Sequence, residues 1–481
     1  MRELLKKRYV QAALLVLATV VVYANTLGNG FVYDDLDQIL RNHWIRDPKY
    51  LYEIFTSPIG AFLPNNVSSG TYRPMLHTAY LAEYALFGLD PRGYHLVNLL
   101  LACAVSVMAF LLAARVMENS KNGGGGASFY PFFAALYFAV HPAHSEVVAW
   151  AATVTELLLA FFLFFAFYLH AGQRPSPVKT ILASVFLFIA LLNKETALVF
   201  PFLALAYDRM RPPVERRWGR YIAYAVVIAV YFALRTYAVG DVLPGRRFFD
   251  LTDYEYAINI LQLVPLYFYK LAVPVNLNAY YFIEPLRSLS EPFMLFSAVF
   301  SVFVLAALYI SRRLDPVLFF SAFWVSFSML PTMYLPGLGK SWFAERYLFL
   351  PSFGFCLFAA RVLYMLASRF KGRGVLKTAF YPAVGVAMAL LAFQTVRRNA
   401  VWRDNLTLWA DTVLKSPKAS LPRQNLGDAF YKAGRVDDAL REFKAASALD
   451  PTDYLPLYNL GFVHQVLGRH DEAIAYYTRA I

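Results

Sequence analysis

Residues 9–25 read YVQAALLVLATVVVYAN, an uncharged run directly behind the basic stretch Arg2-Glu3-Leu4-Leu5-Lys6-Lys7-Arg8. The layout is that of a secretory signal peptide, but no small-x-small cleavage site follows, so the run reads as a retained membrane helix. Ten further apolar runs follow, at roughly 94–116, 129–141, 151–170, 179–192, 196–208, 221–239, 292–311, 316–335, 350–369 and 377–396. A helix needs about 20 residues to cross a bilayer. Several runs are shorter, so tilted or paired half-length helices around a cavity are expected. The composition agrees: 59% of the 481 residues are hydrophobic and only 16% charged, too little polar surface for a soluble chain of this length. The expected fold class is all-α, a polytopic membrane bundle of about eleven spans. Cys103 and Cys356 both lie inside apolar runs and form no disulfide framework.

The net charge of +13 does not point to nucleic acid, because the positive residues cluster in short breaks between spans. They sit at the N-terminus, around Lys121, from Arg174 to Lys179, from Arg209 to Arg220, at Arg312-Arg313 and from Arg369 to Lys377. With these breaks in the cytoplasm the spans alternate consistently. Loops 28–93, 142–150, 240–291 and 336–349, and everything after 397, then lie on the outer face. The segment from Tyr256 to Val273 is apolar but has Pro265 near its middle. Counting it as a span breaks the parity, so it is expected to be interfacial or re-entrant.

Asn425-Leu426-Gly427 recurs as Asn459-Leu460-Gly461, an offset of 34. The same offset links Gly434 to Gly468, Ala439 to Ala473, Phe443 to Tyr477 and Ala446 to Ala480, with Pro451 between units. A 34-residue helix–turn–helix period with small residues at packing positions matches the tetratricopeptide repeat (TPR). Two units rarely stand alone. Trp402 to Lys415 is therefore expected to act as a cap or half-repeat, or the array to continue past Ile481. The expected division is a membrane domain over 1–397 and repeats over 398–481 on the outer face, the repeats binding peptide or protein.

The polar chemistry gathers on that face. Phe31-Val32-Tyr33-Asp34-Asp35 follows the first span. Adjacent acids at a membrane surface repel and lose hydration unless something uses them. An aspartate can serve as general base or hold a divalent metal, Mg or Mn, against a phosphate. A solvated turn is the bland alternative. Ile45 to Phe55 and Pro74 to Phe87 read as amphipathic surface helices. His141 and His144, spaced i, i+3 beside Glu146, offer a metal pair lacking a third ligand. Lys194 and Glu195 interrupt two apolar runs, where ionisable groups are costly unless paired or functional. Glu345-Arg346 and Arg73 add charge, and arginine has the better fork for phosphate. His95 completes the cavity candidates. No P-loop, strand–GxGxxG–helix unit or GxSxG elbow is present, which argues against an ATP-driven transporter or a soluble nucleotide-sugar enzyme.

Taken in order, FVYDD at 31–35, TYRPMLHTAYLAEYALFGLDPRGYHLVNLLL at 71–101, HPAHSEVVAW at 141–150, NKE at 193–195, AERYLFLPSFGFC at 344–356 and RNAVWRDNLTLW at 398–409 cover nearly the whole chain. This series resembles the TMTC group, transmembrane and TPR-containing O-mannosyltransferases, and their bacterial TPR-bearing relatives among the GT-C glycosyltransferases. The resemblance implies a GT-C fold with its catalytic acid in the first outer loop. It also implies a sugar donor carried on polyprenyl or dolichyl phosphate, and no nucleotide at the site. Asp34-Asp35 matches the family's acidic motif. After HPAHSEVVAW, relatives commonly carry charge, where this chain has Ala151 to Thr155 before Glu156.

The expected function is inverting transfer of a sugar, mannose foremost, from a lipid phosphate to a protein Ser/Thr hydroxyl. Asp34 or Asp35 would be the base, and Arg73, Lys194 and Arg346 would hold the phosphate. The expected partners are that donor, membrane lipids and an acceptor presented by the repeats. The expected location is a bacterial inner membrane with the repeats in the periplasm, or the endoplasmic reticulum with the same face lumenal. A non-catalytic repeat scaffold and a lipid-linked-sugar transporter are the alternatives.

Overall fold

The computed structural model describes residues 7–63, 70–118, 129–172, 176–210, 218–241, 251–335, 338, 341–369 and 374–481. The basic residues 2–6, the break with Lys121 and Gly123 to Gly126, and the charge around Arg174, 211–217 and 370–373 lie outside the described residues.

Helix α1 (Arg8–Tyr23) is the first span; α2 (Leu51–Thr56) and α3 (Pro74–Phe87) belong to the first loop. Helices α4 (Pro91–Glu118), α5 (Phe129–Ala139), α6 (Ser145–Ala149) and α7 (Val154–His170) follow, then α8 (Pro177–Asn193), α9 (Phe200–Met210) and α10 (Trp218–Val239). The second half holds α11 (Asp253–Ala272), α12 (Pro292–Leu314), α13 (Pro316–Met329), α14 (Phe349–Arg369) and α15 (Gly374–Asn399). Proline at the first position of α3, α8, α12 and α13 starts a helix without losing a bond, because that N–H has no intrahelical acceptor.

Among the described residues, eight helices are long and apolar enough to cross a membrane, and α5 and α8 are shorter apolar helices. The eleventh expected run is a single turn at Glu195–Val199 leading into α9. The chain is an integral membrane protein. Helices α4, α7 and α14 are the most buried of the spans, whereas only 11% of the apolar window of α12 is buried. Phe296, Val299, Val302, Phe303 and Leu305 stand exposed on α12, an apolar surface suited to lipid.

The centre of the bundle packs Phe164 and Phe167 of α7 against Trp324 of α13, with Phe353 of α14 against Phe164 and Trp324. Gly354 lets α13 and α14 meet closely, since a Cβ there would lie 2.8 Å from the Ser321 carbonyl oxygen. Backbone cannot yield as a flexible side chain can. Gly354→Ala is therefore expected to cost about 1–3 kcal/mol, read as a lower unfolding temperature in detergent; an unchanged temperature would mean the helices separate at no cost.

Three segments differ from expectation. Ile45 to Phe55 is not one helix but the turns Trp44–Arg46 and Pro48–Tyr50 followed by α2. Pro48 has no N–H to continue a helix, and Asp47 instead caps the turn by accepting from Lys49 N at 2.9 Å. Pro74 to Phe87 is helical, yet Leu76, His77, Tyr80 and Glu83 are buried, so α3 packs into the bundle rather than lying on its surface. Its apolar residues are spread around the helix instead of forming one stripe. The segment 256–273 belongs to α11, a single helix continuous through Pro265, which departs from the re-entrant alternative but not from the interfacial one. A Thr252/Glu255 capping box starts that helix.

Past α15, α16 (Asn405–Lys415) precedes two helical hairpins, α17 (Ser420–Lys432) with α18 (Val436–Leu449) and α19 (Tyr454–Val466) with α20 (His470–Ala480). The 34-residue offset is reproduced in geometry. A Cβ on Gly427 would meet the Phe443 ring at 2.6 Å, and one on Gly461 would meet the Tyr477 ring at 2.7 Å. Gly434 and Gly468 turn each hairpin at φ 76° and 73°, a region open to glycine at no steric cost.

Candidate active site

The site is built where helices break. Between α5 and α7 the chain passes through a turn at Pro142–His144, the short α6 and a second turn at Ala151–Thr153. Between α8 and α9 it leaves the helix at Lys194, with φ −163° and ψ 139°. Non-helical backbone within a membrane bundle is tolerated where it is enclosed by protein or lines a cavity. The first-loop turn of residues 31–35 packs beside these breaks.

Asp34 and Asp35 part company there. Asp35 is fully buried, its Oδ2 accepting from Val32 N at 2.9 Å and its Oδ1 from Ala152 N at 2.8 Å. It ties the first loop to the turn ahead of α7. Asp34 is exposed and faces a cavity of about 260 Å³, lined also by Gln38, Ile59, Thr71, Arg73, Leu76, Trp150, Ala152, Thr153, Thr155, Glu156 and Arg346. Water reaches the carboxylate, but protein surrounds the recess. Desolvation by the surrounding walls of the recess pushes its carboxyl up to about 6, with Arg346 opposing the rise and Asp37 adding to it.

Three cations approach this cavity, each beside a glutamate. Arg73 pairs with Glu195 at 3.0 Å. Arg346 pairs with Glu146, whose Oε2 also accepts from Arg346 N at 3.0 Å. Lys194 is buried and pairs with Glu156, so it reaches the cavity through that carboxylate rather than lining it. Tyr347 lies between two of them, with Lys194 Nζ and the Arg346 guanidinium each 5.0 Å from its ring centroid. Arg346 also sits 5.5 Å over Trp150. The recess thus joins one carboxylate near its working pKa to cationic groups fixed by aromatic faces.

Tetratricopeptide repeat models match residues 427–468 and 456–481. A protein O-mannosyl-transferase of Caenorhabditis elegans is 27% identical over 91% of this chain and 62% of its own length. Tmtc1 of Drosophila melanogaster is 33% identical over 40% of the chain and 22% of its own length, and human TMTC1 is 32% identical over 41% and 23%. The chain is similar to these protein O-mannosyl-transferases. It spans 62% of the worm relative's length and under a quarter of the fly and human ones. Among solved structures, ArnT from Cupriavidus metallidurans bound to undecaprenyl phosphate covers 95% of this chain and 77% of its own, at 15% identity and a TM-score of 0.42.

The other sequence candidates serve the frame. His141 Nε2 lies 3.0 Å from the Leu271 carbonyl oxygen, and His144 Nε2 lies 2.8 Å from Ser352 Oγ. Both rings are buried and bridge segments, which fits a polar helix end rather than a metal pair. His95 lies 3.4 Å from the Gly30 carbonyl oxygen and braces the loop from behind. Glu345 turns away from the cavity, accepting from Tyr281 OH at 2.8 Å and lying 3.7 Å from Arg398.

A divalent ion held between Asp34 and Asp35 does not fit these residues. Each Asp35 oxygen already accepts a backbone N–H, and the carboxylates of Glu146, Glu156 and Glu195 each carry a cationic partner. Among the described residues no three His, Cys, Asp or Glu side chains converge as a metal site. Glu156, Trp150 and Tyr347 are the lining or bracing residues that sequence reasoning passed over. The signal for Glu156 was present, as a lone acid in the first turn of an apolar helix, a placement that calls for a partner.

Proposed function

We propose that the chain is a glycosyltransferase of the GT-C kind, moving a sugar from a polyprenyl or dolichyl phosphate to a protein Ser/Thr hydroxyl at the outer face of the membrane. The observation that carries this reading is the meeting of Asp34 with Arg346 and Arg73 in one recess. The relatives named as O-mannosyl-transferases support mannose as the sugar. The acceptor oxygen attacks the anomeric carbon as the bond from that carbon to the phosphate oxygen breaks, inverting the configuration. Asp34 takes the acceptor proton, and the lipid monophosphate leaves with the bonding electron pair. Arg346 and Arg73 offset the charge growing on that phosphate, and Lys194 acts through Glu156. The repeats present the acceptor.

The test is release of polyprenyl monophosphate from synthetic polyprenyl-phosphate mannose by the purified chain in detergent, with and without a pool of Ser/Thr peptides. Acceptor-dependent release is expected. No release across a panel of lipid-linked sugars and acceptors would turn the reading towards a membrane scaffold.

The pH profile follows from Asp34. A base must be ionised, and the raised carboxyl pKa of about 6 makes kcat/KM flat above neutrality. Below about pH 6 it is expected to fall tenfold per unit as the carboxyl takes a proton. A profile flat down to pH 4.5 would remove Asp34 as the base.

A further inference from the structure

The turn that carries Asp34 is held from outside the membrane bundle. Tyr33 has φ 54°, a left-handed conformation uncommon for a residue with a side chain and costing of order 1–3 kcal/mol unless its surroundings fix it. Those surroundings come from the segment just past the last span. Gly30 N donates to the Arg403 carbonyl oxygen at 2.9 Å, and Tyr33 N donates to Asn405 Oδ1 at 2.9 Å. The same oxygen accepts from Trp409 Nε1 at 3.3 Å, which fixes the amide in place. The Tyr33 ring meets Trp409 edge-on at 4.9 Å and stacks on Trp150 at 5.4 Å. Trp150 in turn lines the cavity and lies under Arg346.

A turn with this geometry sends successive side chains in different directions, Asp35 into the frame and Asp34 into the recess. Resting on the reading of Asp34 as the base, we propose that Asn405 is a positioning residue of the active site. Its side-chain oxygen holds Tyr33 in the left-handed conformation and so aims Asp34 at the acceptor. The start of the repeat segment is then a working part of the catalytic centre, not only the stem of a binding module.

The test uses the full chain in detergent with polyprenyl-phosphate mannose and a Ser/Thr peptide. Asn405→Ala removes the acceptor oxygen and is expected to lower kcat ten- to a hundredfold, as small misplacements of a reacting group do. KM for the donor should stay within about twofold, because Arg73 and Arg346 stand on other elements. Asn405→Asp keeps the acceptor oxygen and should recover most of the loss.

Amide hydrogen exchange over residues 31–37 gives a readout independent of turnover, and should quicken at least tenfold in Asn405→Ala. A full kcat in Asn405→Ala beside a dead Asp34→Asn would overturn the positioning role and leave the reading of the site intact. Full release by Asp34→Asn would instead remove Asp34 as the base, and the positioning role with it. Unchanged exchange over 31–37 in Asn405→Ala would overturn the clamp whatever the activity.

Discussion

Asp34→Asn is expected to lower sugar transfer by a factor of about 10²–10⁴ while leaving the protein folded, whereas Asp35→Ala is expected to damage the fold first. The two residues are neighbours of the same type, but their surroundings differ. Asp34 is exposed in the recess, with Arg346 and Asp37 as the charges that act on it. Replacing its carboxylate by an amide keeps the shape and removes only the ability to take a proton. Asp35 satisfies two backbone N–H groups, Val32 N at 2.9 Å and Ala152 N at 2.8 Å, without access to water. Alanine there leaves both donors without their acceptor, a cost of about 1–3 kcal/mol for the buried Val32 N–H and less for the half-buried Ala152 N–H. Release of polyprenyl monophosphate and thermal unfolding, measured on both variants, separate the roles. Equal loss of activity with equal loss of stability in the two would mean that the acids act as one unit.

Arg346→Ala is expected to lower kcat/KM by about 10²–10³, the usual effect of removing one donor to a charge that forms in the transition state. It should also destabilise the chain. The Glu146 side chain is 1% exposed, and breaking a buried pair from one side costs about 3–5 kcal/mol. Arg346→Lys separates the two effects. It retains a charge for Glu146 but loses the planar fork that can hold a carboxylate and a phosphate together, so stability should return in large part while transfer does not. An Arg346→Lys enzyme with full transfer would show that charge alone suffices. An Arg346→Ala enzyme with full transfer would take the arginine out of the mechanism.

Much of this architecture is legible in the sequence because it depends on local periodicity. The apolar runs fall on helices, and the 34-residue offset falls on two hairpins whose glycines face Phe443 and Tyr477. The acidic pair was recognisable from its motif, but the division of labour between Asp34 and Asp35 was not. That depends on Ala152, 117 residues away, whose N–H takes one acid out of play. The pairings of Arg73 with Glu195, Lys194 with Glu156 and Arg346 with Glu146 span 122, 38 and 200 residues. Helix packing sets such pairs, and no spacing encodes them. His141 and His144 share an i, i+3 spacing that a metal pair would need, but each ring is committed to a partner on a distant segment.

The pairing of every cavity cation with a glutamate bears on traffic through the site. Arg73, Lys194 and Arg346 are matched by Glu195, Glu156 and Glu146, and Asp34 adds one more negative charge. An approaching anion therefore meets no unmatched positive charge among these four groups. Once there, it gains only what it can win from carboxylates already holding the same guanidinium groups. On the proposed reaction, such competition would keep a spent lipid phosphate from becoming a permanent tenant, and would let a pocket that grips a charge during one brief event let go of it afterwards.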